Sequence, residues 1–514
     1  MKQKTIEQHT KKKSFITIFL TWIEKIGNAL PDPAFLFAIL ALLILIISAI
    51  GSALDWNGIH PNTGNVIAIK NLLSREGIHQ IMLKLVTNFT GFAPLGIVIV
   101  AILGVGIAEG SGFVRASIVA LLSRVKGSGV TFMVVMTGVI SNLASDIGYI
   151  LVIPIGGVIF HSLGRHPLAG MAAAFAGVSG GFSANLFIST TDVLLSGIST
   201  TAAQIINPDY VVGTLSNYYF MCASTIIISL AGVFVTTKIV EPQLGKYAGN
   251  VAIEPLKALT PIEKKGLLYA NLSILLIIGI IAYGLIPENG FFRDIETNSI
   301  FKSVVFKGFV SILFFVAAIS GIIYGFVTRN FKHPNDILKS MNDSVKTLVS
   351  YFVLVFFAAQ FIAWFNDSNL GMVLAIKGVS LIKALDLGLI PLVLMTIVFA
   401  TTTNLVMGSA SAKWLLLAPI VVPMFMMLGY SPELAQCAYR IGDSSTNIIT
   451  PLLSYFPLII VYFQKYKQES GIGTIISTMI PYSICFLIMW TIFIIIWLSL
   501  GLPLGPDSGL HYTA

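Results

Sequence analysis

Charge is what this chain has least of. Asp, Glu, Lys and Arg together make up 11% of its 514 residues, against about 25% in a soluble domain. With 56% hydrophobic residues, that deficit excludes an ordinary water-facing globule and a disordered chain alike. Cysteine is also scarce. Cys222, Cys437 and Cys485 all fall in apolar segments and read as small buried hydrophobes, with no disulfide or metal framework. No HExxH, Walker A loop or CxxC is present, so those hydrolytic, nucleotide and redox chemistries have no anchor.

What is present is a set of long apolar windows, such as FLFAILALLILIISAIGSAL from Phe35 and SICFLIMWTIFIIIWLSLG from Ser483. About 20 such residues cross a bilayer as a helix, so the chain reads as polytopic. The start, MKQKTIEQHTKKK, is basic and is followed by no small-residue cleavage site, so it reads as a cytoplasmic tail. The net charge of +8 calls for no nucleic acid. It reflects basic loops on one side of the membrane: Arg124–Lys126, Lys238–Lys265, Arg329–Lys346 and Lys465–Lys467. The loops Asp55–Asn88 and Pro287–Lys302 are poorer in Lys and Arg and read as external, although Lys70 and Arg75 obey the rule only loosely.

Under that constraint the path runs through spans at 34–54 and 91–109, an interfacial helix at 113–126 and a re-entrant hairpin at 130–160 with a polar SNLASD tip. A span at 167–194, interrupted by GVSGGFSAN, is followed by spans at 216–237, 266–286 and 303–327. The second half reads as a span at 348–365, an interfacial segment at 369–385, a hairpin at 389–429, an interrupted span at 432–463 and a last span at 474–501. The same order of elements appears twice with opposite starting sides, which is the pattern of an inverted repeat. Pro154, Gly164, Pro167, Gly177 and Ser179 match Pro419, Gly429, Pro432, Gly442 and Ser444 at one constant offset.

Unwound backbone is expensive in lipid and survives where it lines a cavity or an ion site. The hairpin tips Ser141-Asn142 and Thr403-Asn404 and the two interrupted spans offer carbonyls and Ser, Thr and Asn oxygens suited to a hard cation. Half-helix N-termini suit an anion. Alternatively, these are plain loops, with hydroxyls bonded to their own helices. Charges far from water are Asp146, Asp192, Lys413, Arg440 and Asp443, each a functional candidate by default. Arg440 and Asp443, at i and i+3, either neutralise each other or act separately: the guanidinium fork on a carboxylate, and Asp443 on a cation or proton beside a break that begins at Gly442. Asp192 has an interfacial alternative and Lys413 can snorkel. Trp414 is either packing or a stacking plate for a ring. GVSGG at 177–181 fits G-x-S-x-G and resembles the serine motif of rhomboid-type proteases. The only histidines after it are His333 and His511, outside the apolar segments, so Ser179 lacks a base.

The stretches GRHPLAGMAAAFAGVSGGFSANLFISTTDVLLSGIS (164–199) and SASAKWLLLAPIVVPMFMMLGYSPELAQCAYRIGDSSTN (409–447), with FTGFAPLG (89–96) and KIVEPQLG (238–245), resemble the AbgT family of p-aminobenzoyl-glutamate transporters over essentially the whole chain. The resemblance implies an all-α, elevator-type homodimer with about nine transmembrane helices and two re-entrant hairpins. By motif, Asp192, Ser411, Trp414, Pro432, Arg440 and Asp443 match the family's substrate-passage positions, and Asn404 with Asp443 matches a cation-linked pair. Repeat symmetry and analogy to sodium–dicarboxylate symporters extend the cation set to Ser141, Asn142 and Asn185. Asp146 takes the place of Ser411 in the first repeat, and Lys413 has no assigned role.

The expectation is thus a bacterial inner-membrane transporter, not an enzyme, with its N-terminus cytoplasmic and its C-terminus external. It would move an anionic aromatic substrate such as p-aminobenzoyl-glutamate, coupled to sodium or protons. It would need no cofactor beyond a possible bound sodium ion. Its expected parts are a tail at 1–33, a first repeat half at 34–200, scaffold helices at 201–345, a second repeat half at 346–465 and a last span with tail at 466–514. Export of antimetabolites such as sulfonamides, and sodium–dicarboxylate symport, are the alternatives.

Overall fold

The computed structural model describes residues 32–59, 64–123, 129–144, 148–249, 251, 258–300 and 303–512. The basic tail, the Arg124–Lys126 loop and Asp146 lie outside the described residues.

Most of the described residues are helical. In the first half α1 (Pro33–Ala53) leads to a small antiparallel hairpin, β1 (Asn57–Ile59) with β2 (Val66–Ala68), then to α2 (Arg75–Thr90), α3 (Ala93–Gly110) and α4 (Phe113–Ser123). Next come α5 (Val130–Ser141), α6 (Ile153–Ser162), α7 (Pro167–Phe175) and α8 (Thr190–Ala203). The middle is α9 (Tyr218–Val235), α10 (Pro261–Leu285), α11 (Phe309–Thr328) and α12 (Pro334–Lys346). The second half holds α13 (Val349–Asp367), α14 (Leu370–Ala384), α15 (Leu389–Asn404), α16 (Ala410–Met427), α17 (Pro432–Asn447), α18 (Phe456–Tyr466) and α19 (Ile472–Ser499).

Eight helical runs among the described residues are long and apolar enough to cross a membrane. The set differs from the nine spans expected from sequence: the two interrupted spans resolve into shorter helices, and α16, expected as a hairpin arm, is long enough to be counted. The expected external loop at 55–88 also holds a helix, α2, started by Ser74, whose Oγ accepts from Gly77 N. The expected basic loop at 329–346 contains α12, where the Asp336 carboxylate accepts from the backbone N–H groups of Lys332 and His333. Outer helices such as α10 leave Leu272, Leu275 and Leu276 exposed, as a lipid-facing surface requires.

The inner helices are different. All nine residues of α7 and all sixteen of α17 are buried. Helix α17 packs between α15, α16, α19 and α8. Both α7 and α17 start alike. A glycine with positive φ, Gly164 (+69°) or Gly429 (+83°), closes the preceding helix. Pro167 or Pro432 then occupies the first helical position, where its missing N–H is harmless. The C-terminal strap completes the entry to α17: Ser431 N donates to Leu510 O and Tyr512 N to Gly429 O.

The breaks differ from their expected positions. In the first half α7 continues through a π-helical turn to Gly180, and irregular backbone follows until α8. In the second, α17 does not open at Gly442 but runs to Asn447. Two local effects explain this. Ser445 and Thr446 donate their hydroxyls to Ile441 O and Gly442 O of the same helix, 2.8 Å each, which satisfies them without unwinding it. Gly442 serves close packing: a Cβ there would meet Ile397 O and lie 2.8 Å from Ala400 Cβ on α15.

Gly442→Ala is therefore expected to push α15 from α17 and lower stability by about 1–3 kcal/mol, the usual range for overpacking. Gly473→Ala, where a Cβ meets nothing within 4 Å, serves as a neutral control. Thermal melting of the detergent-solubilised protein compares the two.

Candidate functional site

The polar residues of α17 follow one stripe. Glu433, Gln436, Arg440, Asp443 and Asn447 recur every three or four positions, so they share a helix face. Around that face the two halves of the chain meet.

Arg440 is paired with Asp192 of α8, not with Asp443: Arg440 Nη2 lies 2.6 Å from Asp192 Oδ1, with the side chains 4% and 1% exposed. The i, i+3 neutralisation considered from sequence does not form. Asp192 is held by its own helix start, since Oδ2 accepts from Ser189 N (2.6 Å) and Ser189 Oγ (2.8 Å). The carboxylate is thus fixed by local backbone, and the long arginine reaches across to it. Arg440 Nε has no hydrogen-bond partner, and neither do Ser183 Oγ and Trp490 Nε1. All three residues line one small cavity with Asn217, Phe220, Met221, Cys437 and Ile441.

Asp443 has a different partner. Its Oδ1 is 2.5 Å from Lys413 Nζ on α16, and both side chains are closed to solvent. The same ammonium donates to Asn404 Oδ1 at the end of α15. Asn404 Nδ2 in turn reaches Asp443 O (2.5 Å), Thr446 Oγ1 (2.8 Å) and Asn447 Oδ1 (2.9 Å), and Thr450 Oγ1 donates to Asn404 O (3.0 Å). The hairpin tip is thereby clasped to the C-terminal end of α17. Snorkelling, the alternative read for Lys413, does not occur, because its head is fully buried.

Trp414 stacks on Tyr439, with centroids 4.5 Å apart and ring planes at 23°, and donates Nε1–H to Ser199 Oγ (2.9 Å). A chain of polar groups continues from there. Ser199 Oγ donates to Gln436 Oε1 (2.6 Å), Gln436 Nε2 to Asn217 Oδ1 (3.0 Å), and Asn217 Nδ2 to Glu433 O (2.9 Å). The Glu433 carboxylate accepts from Tyr210 OH at 3.1 and 3.2 Å. Burial, and then the Glu433 charge, push the Tyr210 hydroxyl above its ordinary range, which keeps it a donor at neutral pH. Tyr439 OH donates to Ala410 O (2.6 Å) and lies 3.2 Å from Asp443 Oδ1, joining the stacked pair to the lysine site.

The remaining predicted residues are more scattered. Ser411 sits at the start of α16, 3.3 Å from Ser409 Oγ. Pro432 begins α17, about 12 Å of helix from Arg440. Ser141 Oγ donates to Gly138 O (2.6 Å) and Asn142 Nδ2 to Val139 O (3.1 Å), both within their own helix turn. Asn185 Oδ1 accepts from Phe187 N (3.3 Å), while its Nδ2 is buried without a partner. Ser179 lies in the π-helical turn with no hydrogen-bond partner, far from a nucleophile elbow. No group of three His, Cys, Asp or Glu side chains able to hold a metal occurs among the described residues. Ser199, Asn217, Gln436 and Tyr439 were not singled out from sequence. The stripe on α17 could have found Gln436. Tyr439 lies on the same stripe and was open to the same reading, while Ser199 belongs to α8 and Asn217 precedes α9.

A polytopic helical fold with charged pairs buried between its inner helices fits a membrane transporter. The comparisons agree: residues 18–512 match the AbgT putative transporter family, and the chain belongs to it. It is a transporter, not an enzyme. It is 39% identical over 485 residues to the p-aminobenzoyl-glutamate transport protein of Escherichia coli (strain K12), covering 94% of this chain and 95% of that one. Two solved structures are similar. The Alcanivorax borkumensis YdaH transporter is 41% identical with a TM-score of 0.88, covering 93% of this chain and 100% of that one. Neisseria gonorrhoeae MtrF, described with a class of antimetabolite efflux pumps, is 47% identical with a TM-score of 0.90, covering 95% and 100%.

Removing one member of a buried ion pair strands the other, at about 3–5 kcal/mol. Asp192→Asn, which can still accept from Ser189, should lower the melting temperature. Adding Arg440→Met should recover most of that loss, and a double-mutant cycle in detergent micelles measures the coupling.

Proposed function

We propose that this chain is a secondary active transporter of anionic aromatic amino-acid conjugates of the p-aminobenzoyl-glutamate kind. The observation that carries the reading is Arg440. Its guanidinium is almost fully buried, with Nη2 2.6 Å from Asp192 Oδ1, and its Nε has no hydrogen-bond partner. A planar fork with a donor to spare, beside the unpartnered donors of Ser183 and Trp490, is suited to a substrate carboxylate. Asp192 holds the arginine between cycles, and the arriving carboxylate takes its place. Because Asp192 is fixed by Ser189, this exchange requires only the arginine side chain to pivot. Asp443 is attached to the second hairpin through Lys413 in this closed arrangement.

The aromatic part of the substrate is assigned to Trp414 and Tyr439. They lie stacked and closed in this arrangement, and withdrawal of the α15–α16 hairpin would open their faces to an aminobenzoyl ring. Asp192, Arg440, Trp414 and Asp443 are the core of the proposed site. Ser411 and Pro432 belong to the passage at the ends of α16 and α17, and Ser141, Asn142 and Asn185 to the matching face of the first half. We assign an inverted-repeat elevator movement in a homodimer of the bacterial inner membrane, with a cytoplasmic N-terminus and an external C-terminus, driven by a sodium or proton gradient. The duplicated order of hairpin and interrupted span supports that assignment.

Antimetabolite export is the second reading, supported by the 47% identity to MtrF. A sulfonamide carries the same aminophenyl ring and would use the same aromatic pair. Plain dicarboxylate symport makes no use of Trp414.

Uptake of labelled p-aminobenzoyl-glutamate into proteoliposomes, with sodium and proton gradients imposed separately, tests the proposal. Arg440→Ala should weaken substrate affinity by at least about 30-fold, the equivalent of 2 kcal/mol or more for one partner of a buried charge pair, with the protein still monodisperse. Trp414→Ala should cost about 3–10-fold, the worth of an aromatic pair. Wild-type affinity in Arg440→Ala would remove the assignment. Competition by a sulfonamide but not by succinate would favour the efflux reading over the dicarboxylate one.

A further inference from the structure

The Asn404–Asp443 pair is where the family resemblance places a cation, and the residues present can be tested against that ion. A hard cation needs several oxygens free to turn toward it. Five of the oxygens here are already committed. Asp443 Oδ1 and Asn404 Oδ1 both face Lys413 Nζ. Asp443 O, Thr446 Oγ1 and Asn447 Oδ1 all face the amide nitrogen of Asn404. The amide orientation follows from the chemistry: turned the other way, Asn404 would set its N–H groups against an ammonium that has no acceptor. Sodium does not fit this donor set while Lys413 is in place.

We propose that the Lys413 ammonium is the resident cation of this site, a tethered positive charge that excludes sodium from Asn404 and Asp443. This rests on the transport reading only in that the site belongs to the moving hairpin.

Three further observations support the assignment. Lys413 is 0% exposed, so its charge needs the carboxylate partner beside it. The lysine stands next to Trp414 at the start of α16, so the charge is delivered by the hairpin itself. Asn404 closes the other end of the same hairpin loop, so the hairpin docks on α17 through both ends of its tip. Finally, the four charges of the two pairs, Arg440 with Asp192 and Lys413 with Asp443, sum to zero without any bound ion. Removing Lys413 leaves one negative charge in excess at a place rich in oxygens, which is the condition under which a small monovalent cation would enter.

Sodium-22 binding to the purified, detergent-solubilised protein tests this without any substrate. Lys413→Ala should bind roughly one more sodium per chain than the wild type. Its melting temperature should rise with sodium over choline by at least about 2 °C, as expected when a ligand binds only the folded state. Adding Asp443→Asn to Lys413→Ala should abolish the gain. Lys413→Gln serves if the alanine variant does not fold, and should show a smaller gain. Equal sodium stoichiometry in the wild type and in the folded Lys413 variants would overturn the proposal. A wild type that fails to move p-aminobenzoyl-glutamate while the variants show the sodium gain would remove the substrate reading and support the Lys413 assignment.

Discussion

The structure depends on keeping charge out of lipid. Four charged side chains, Asp192, Lys413, Arg440 and Asp443, are all nearly inaccessible to solvent, and a charge stranded there costs several kcal/mol. Each is answered by a partner on another helix. Helix α17 carries one member of both pairs, so it is tied at once to α8 of the first half and to the second hairpin through Lys413. Removing any one of these groups would leave another unpaired, which is why the site and the packing of the inner helices cannot be separated.

The two pairs are held differently. Asp192 is fixed by its helix start, with Ser189 occupying one carboxylate oxygen, and the flexible partner is the arginine. Asp443 sits toward the C-terminal end of α17, and its partner arrives on the hairpin together with Trp414 and close to Asn404. A ligand that competes for Arg440 can displace one side chain. A ligand that competes for Asp443 must displace a hairpin. Under the proposed function, that asymmetry separates a substrate end from a docking end on a single helix face.

Much of this was legible in the residues. Long apolar windows announced the helices, since length and composition alone decide whether a segment can cross a bilayer. Gly164 with Pro167 and Gly429 with Pro432 announced paired helix starts, because αL glycine and first-turn proline have local steric causes. The intramembrane charges announced themselves as candidates. The end of α17 was misread because Ser445 and Thr446 look like helix breakers until their bonds to the preceding turn are known, and because Gly442 looks like a hinge until α15 is seen pressed against it. The helices at 75–90 and 334–346 were missed because charge and polarity made them read as loops.

By itself, the sequence determined that this is a polytopic helical membrane protein, where its spans and interruptions fall in outline, and which charged residues lie far from water. These follow from local composition and from the energetics of burying backbone and charge. Only the tertiary structure decided which charge answers which. Arg440 stands three residues from Asp443 and far along the chain from Asp192, yet it pairs with Asp192, because the packing of α8 and α16 against α17 sets the distances. Lys413, a residue with no assignable role in one dimension, became in three dimensions the cation at the centre of the second hairpin's dock.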